Sequence, residues 1–165
     1  MDITRRSDYA CRILRALCTH EGQFRSVAEI AQEEDIPYSF ARSIQHDLVK
    51  AGLLRTERGV RGGVTMAVDC ADVTLLDVMR VVQGKVGIAP CSQDPQYCQK
   101  AAGCAYHGVW CQADKMLANY FASITLADLF RTMNDGAECP QVTARKVVSV
   151  SDDGEEAAGE GDAVA

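Results

Sequence analysis

The stretch from Ser26 to Ala51, SVAEIAQEEDIPYSFARSIQHDLVKA, reads as two short helices broken by a turn, and that reading decides the fold. Ser26 stands three residues before Glu29. At this spacing the serine oxygen accepts a backbone N–H of the new helix while the glutamate accepts the serine's own, so a helix starts here and runs through Val27, Ile30 and Ala31. Asp35-Ile36-Pro37 interrupts it, because proline disfavours helical geometry in the preceding residue and suits the first turn of the next helix. A second helix follows from about Tyr38 to Ala51, with Phe40, Ile44, Leu48 and Val49 on its inward face and Gly52 where a C-terminal cap belongs.

Upstream, from Thr4 to His20, apolar residues at Tyr9, Cys11, Ile13, Leu14, Leu17 and Cys18 recur at the steps of one helical face. A supporting helix followed by two short helices across a tight turn makes a helix-turn-helix unit. Downstream, Leu53 to Val68 holds two strand-like stretches around a tip rich in glycine and arginine, a β-hairpin in the position of a wing. Thr74, three residues before Asp77, caps another helix from Leu75 to Val82, which Gly84 ends. The expected fold is mainly α, a winged helix-turn-helix with a long C-terminal dimerisation helix.

A recognition helix presents short polar side chains and a few cations to the major groove, with phosphates held around it. Ser39, Arg42 and Ser43 suit that task, beside Tyr38 and His46. The wing adds Arg55, Arg58 and Arg61, and an arginine at a hairpin tip fits a narrow minor groove. The plainer alternative is a helix pair used for protein contacts with merely solvated arginines.

Between Gly84 and about Tyr106 the periodicity disappears, and a structureless loop of that length in a compact domain is usually functional or disordered. It carries Cys91, Cys98 and Cys104, followed by His107 and Cys111. Soft thiolates on such a loop suit a cluster or a soft metal, and ligation would supply the order the loop otherwise lacks. Structural zinc uses paired ligands two to four residues apart, and no CxxC occurs. A thiol–disulfide redox switch is the other reading of these cysteines. Cys11, Cys18, Cys70 and Cys139 read as fillers of small buried sites, and Cys111 is open, one helical turn from His107.

Beyond the loop, Val109, Trp110, Met116, Leu117, Tyr120, Phe121 and Ile124 line one face of a long helix, and Thr125 with Asp128 starts a short last one. Little folded chain is left to cover that face, which suggests a symmetric dimer; packing back on the first helix is the alternative, and both can hold together. The chain divides into 1–83, a DNA-binding domain; 84–108, a cysteine loop; 109–134, the dimerisation and terminal helices; and 135–165, a tail expected to be disordered.

At 165 residues the chain can bury its own core without a disulfide scaffold, and 47% apolar and 24% charged residues are ordinary globular values. The net charge of −6 sits in the tail, where Asp152, Asp153, Glu155, Glu156, Glu160 and Asp162 have no basic neighbour; residues 1–148 balance. With no apolar run long enough for a membrane and no signal-peptide pattern at the start, a cytoplasmic location is expected, where thiols serve metals or redox chemistry more than structure. Neither a nucleophile–base pair nor a phosphate-cradling glycine loop is present, so no enzyme is expected.

Taken together, Ser7-Asp8-Tyr9-Ala10, Lys50-Ala51-Gly52-Leu53-Leu54, the Arg58-Gly59 and Gly62-Gly63 wing, Gly103-Cys104-Ala105-Tyr106-His107 with Trp110, and Ile124-Thr125-Leu126-Ala127-Asp128-Leu129 resemble the IscR/NsrR/RirA-type winged-helix bacterial regulators over about residues 1–130. The resemblance implies a homodimeric transcription repressor on a double-stranded DNA operator, controlled by an iron–sulfur cluster, 2Fe-2S or 4Fe-4S. It implies ligation by Cys91, Cys98 and Cys104, with His107 or the partner subunit's Asp8 as fourth ligand, and a signal in redox state, nitric oxide or iron status. The alternative it leaves is a cluster-free regulator controlled by thiol oxidation or a protein partner. Six residues in the first cysteine gap where five is frequent, Val64-Thr65-Met66 in place of an aromatic-containing run, and a different recognition helix mean that neither cluster type nor operator carries over.

Overall fold

A computed structural model describes residues 3–59, 62–94 and 96–132. Arg61 at the wing tip, Cys139 and the acidic tail lie outside the described residues.

Helix α1 spans Arg5–Cys18, with the Thr4 side chain accepting the Ser7 N–H at its start. Helix α2, Val27–Glu33, begins with the capping box of Ser26 and Glu29, both halves of which are present. Helix α3 runs Tyr38–Lys50 from Pro37. Between α2 and α3 the chain turns through Asp35 at φ 51°, a left-handed conformation that aspartate tolerates better than most side chains. The wing is an antiparallel pair, β1 Leu54–Glu57 and β2 Gly63–Met66, in the register Leu54 opposite Met66 through Glu57 opposite Gly63. Arg25 and Val64 exchange backbone hydrogen bonds at 2.9 and 2.8 Å, which ties the wing to the segment before α2.

Helix α4, Leu75–Gln83, carries the capping box of Thr74 and Asp77. A four-residue helix α5, Pro90–Gln93, and a 3₁₀ turn, Ala101–Gly103, precede α6, Ala105–Ala122. Helix α7, Leu126–Thr132, starts where Thr125 Oγ accepts the Asp128 N–H at 3.1 Å.

One core unites these elements. Ile13, Leu14 and Leu17 of α1 meet Ile30 of α2, Ile44 and Leu48 of α3, Val64 of β2, Val78 of α4 and Leu126 of α7, all essentially solvent-free. Each such side chain contributes about 1.5–3 kcal/mol on leaving water, and α1, which supplies three of them, is the central support of the helix-turn-helix and wing. Buried Ser7 reinforces it by donating to Gln83 Oε1 at 2.7 Å.

Three expectations are corrected. Phe40 does not face inward; it is 46% exposed and packs its edge against Tyr9, while Ala41 takes the buried place beside Ile44. The cysteine loop is not free of helix, since α5 and the 3₁₀ turn lie within it; elements of three or four residues are too short to imprint a period. Cys18 and Cys70 are not separate fillers but a disulfide, S–S 2.05 Å with Cα atoms 6.3 Å apart. They lie 52 residues apart in the chain, and only the packing of the segment before α4 against the end of α1 brings them within disulfide reach.

Candidate nucleic-acid interface and cysteine loop

The exposed face of α3 is built by the alternation that buries Ala41, Ile44 and Leu48: Ser39, Arg42, Ser43 and His46 are left outside. Arg42 donates to the Tyr38 hydroxyl at 3.3 Å, one turn back, which holds the guanidinium along the helix face. Ser43 accepts from Arg6 of α1 at 3.2 Å, and the same arginine forms an ion pair with Asp47. Arg6 thus orients the recognition face from below, a role invisible in sequence because α1 and α3 meet only in the fold. On the wing, Arg58 is exposed at the end of β1, and Arg55 lies over the Phe24 ring at 5.0 Å, a stacked position that fixes its direction.

The wing's shape depends on two glycines. A Cβ on Gly62 would stand 2.2 Å from the Glu57 carbonyl oxygen, and one on Gly63 would stand 2.4 Å from that of Arg25, with Gly63 at φ 155° besides.

Cys91 lies in α5, Cys98 in the turn after it and Cys104 at the N-cap of α6; all three are half-buried free thiols. Asp114 of α6 accepts from the Ile88 N–H at 2.7 Å and from the Ser92 hydroxyl, which pins α5 and its cysteine against the long helix. The sequence does not mark Asp114, because both of its partners lie more than twenty residues away in the chain. His107 turns its ring to Cys111, with Nε2 3.6 Å from Sγ. Asp8 is half exposed in the first turn of α1 and paired with Arg12 at 2.8 Å.

The donors suit an iron–sulfur cluster in kind, soft thiols on an irregular segment, but not in placement. Among the described residues no three of His, Cys, Asp and Glu converge as a metal site. Bringing Cys91, Cys98 and Cys104 onto one cluster requires the loop to close from the arrangement seen here.

Helix α6 presents Tyr106, Val109, Met116 and Tyr120 to solvent, 48 to 73% exposed, and none of its residues is fully buried. No helix among the described residues is long and apolar enough to cross a membrane.

The model of the Rrf2 family, described as an iron-dependent transcriptional regulator, matches residues 3–132. The chain is 29% identical over 142 residues to protein rrf2 of Nitratidesulfovibrio vulgaris, covering 86% of this chain and 93% of that one. Its fold is similar to T. potens IscR, with TM-score 0.68 and 22% identity over 86% of this chain and 94% of that one. It is also similar to CymR (YrzC), the global cysteine regulator of B. subtilis, with TM-score 0.67 and 22% identity over 79% and 97%.

Proposed function

The chain belongs to the Rrf2 family of transcriptional regulators, and on that premise we propose that it is a homodimeric repressor whose grip on its operator is set by an iron–sulfur cluster on Cys91, Cys98 and Cys104. The observation that carries the DNA-binding half is the joint presentation of the α3 face and the wing. Ser39, Arg42 and Ser43 read or brace the major groove, and Arg58 and Arg61 hold the flanking backbone and minor groove. The exposed apolar residues of α6 are the surface on which a second copy packs.

The cluster half is supported by the chemistry of the donors. Three thiols outside any disulfide sit on a segment with little apolar packing of its own, which ligation would order. The fourth ligand is His107 or the partner subunit's Asp8. Asp8 would have to leave Arg12, and His107 would have to turn from Cys111.

Control by thiol oxidation, without a cluster, is favoured by the arrangement of the donors: among the described residues no three converge as a metal site, while Cys111 Sγ lies 3.6 Å from His107 Nε2. Anaerobic purification with iron and sulfide analysis and an absorption spectrum separates the two. The cluster reading expects a coloured protein with iron and sulfide, and loss of both in Cys98→Ser. Colourless, iron-free protein after reconstitution sinks it. Separate Asp8→Ala and His107→Ala variants then identify the fourth ligand by which one loses iron.

A further inference from the structure

Away from the cysteine loop, the end of α1 and the segment between β2 and α4 are joined by Cys18 and Cys70 at the floor of a cavity of about 450 Å³. We propose that this pair is a second thiol site, opened and closed by exchange with a small thiol that carries no net negative charge, and that its state sets how firmly the wing is held.

Three observations carry this. The disulfide is reachable, because the cavity that it floors is open to solvent between Thr19, Glu21, Asp69 and Phe130, and Cys18 is only half-buried. The mouth is acidic: Glu21 and Asp69 line it, and the one cation among the described lining residues, Arg131, is paired with Asp128 at 3.1 Å. A thiol with its own negative charge, which attacks as a dianion, is therefore repelled more than a neutral one, and a cationic one, which attacks as a zwitterion, is repelled least. Finally, the site sits on the wing's anchorage. Cys70 lies four residues past the end of β2, and its carbonyl accepts the Ala127 N–H of α7 at 3.1 Å. The last turns of α1 hold the wing from the other side, since the Ala16 carbonyl accepts from the Arg25 guanidinium at 3.4 Å and Arg25 pairs with Val64 of β2.

In the exchange, the small thiolate attacks Cys18 Sγ, the bond between the two protein sulfurs breaks, and Cys70 leaves as a thiolate. A second small thiolate attacks the mixed disulfide, forms the small disulfide and releases Cys18. The protons shed by the two small thiols end on Cys70 and Cys18, so two small thiols are oxidised as the protein disulfide takes up two electrons. The small disulfide drives the reverse reaction.

The test uses the full chain with Cys91, Cys98 and Cys104 replaced by Ser, so that no cluster contributes. Cys18 and Cys70 are expected to take up iodoacetamide in the native protein only after treatment with cysteamine. Cysteamine should open the bond faster than thioglycolate, each rate normalised to its reaction with a short unstructured disulfide peptide, and high salt should shrink the difference. Reduction should speed amide exchange at Val64 and Thr65 by at least about fivefold, a modest coupling between two sites. Reoxidation should restore it, and Cys70→Ser should match the reduced protein. Labelling without reductant, or wing exchange that is the same in both states, overturns the proposal. Failure to bind any DNA in either state would instead count against the DNA reading, since labelling and amide exchange do not depend on it.

Discussion

Arg42 stands exposed on the outer face of α3, its guanidinium held one turn back by the Tyr38 hydroxyl, and its contribution is separable from folding because it touches none of the core. Arg42→Ala should weaken operator binding by about 1–3 kcal/mol while leaving thermal unfolding unchanged, read by titration of labelled DNA beside a melting curve. A different kind of residue effect is expected at Cys11, whose thiol is pushed up to about 11, first by burial and then by the nearby Asp8 carboxylate. At pH 8 it is fully protonated, so among the free thiols it should alkylate last, followed by mass spectrometry of timed samples. The unfolded thiol ionises near its ordinary value and the folded one later, so the folded chain holds the extra proton between about 9 and 11. Stability from this group is whole below pH 9 and drains as pH rises to 11, a slope that Cys11→Ala should remove. That Cys11 packs against the core was legible from its seven-residue spacing to Cys18 on one helical face. That Cys18, one heptad on, is a disulfide partner was not.

At the scale of elements, the capping boxes at Ser26 and Thr74 were legible because both halves of each lie within four residues of chain, and local sequence decides them. The wing was legible as a hairpin, but the reason for Gly63 was not: its missing Cβ makes room for the Arg25 backbone, brought from another part of the chain. Gly63→Ala should detach the wing from Arg25 and cost about 1–3 kcal/mol of stability, measured by chemical denaturation, with a larger loss in DNA affinity. Arg61→Ala should leave stability alone, weaken DNA binding across sequences and lower the slope of log affinity against log salt by about one. Equal affinities at several salt concentrations would remove Arg61 from the contact. The misplaced Phe40 shows the limit of periodicity. Two adjacent residues, Phe40 and Ala41, compete for one inward position, and the close approach of α1 and α3 selects the smaller.

Across the whole molecule, α6 carries apolar side chains that nothing among the described residues covers. Met116 is 66% exposed and Tyr120 48%. Met116→Glu should therefore leave each protomer folded, as judged by circular dichroism, yet shift the species seen by sedimentation from dimer to monomer. Operator affinity should fall with it, because two half-sites can no longer be held at once. A monomeric wild-type chain at micromolar concentration would overturn the assignment of α6.

By itself the sequence determined the order of the longer elements, the helix-turn-helix with its wing, the polar face of α3 turned outward and the set of thiols that one segment carries, because caps, periods and turns are settled by neighbours in the chain. Tertiary structure alone decided which cysteines pair, that Arg6 braces Ser43 and Asp47, and that Gly63 admits the Arg25 backbone. Each is a contact between segments far apart in sequence. Only the packing of whole elements around α1 supplies the distances that settle it.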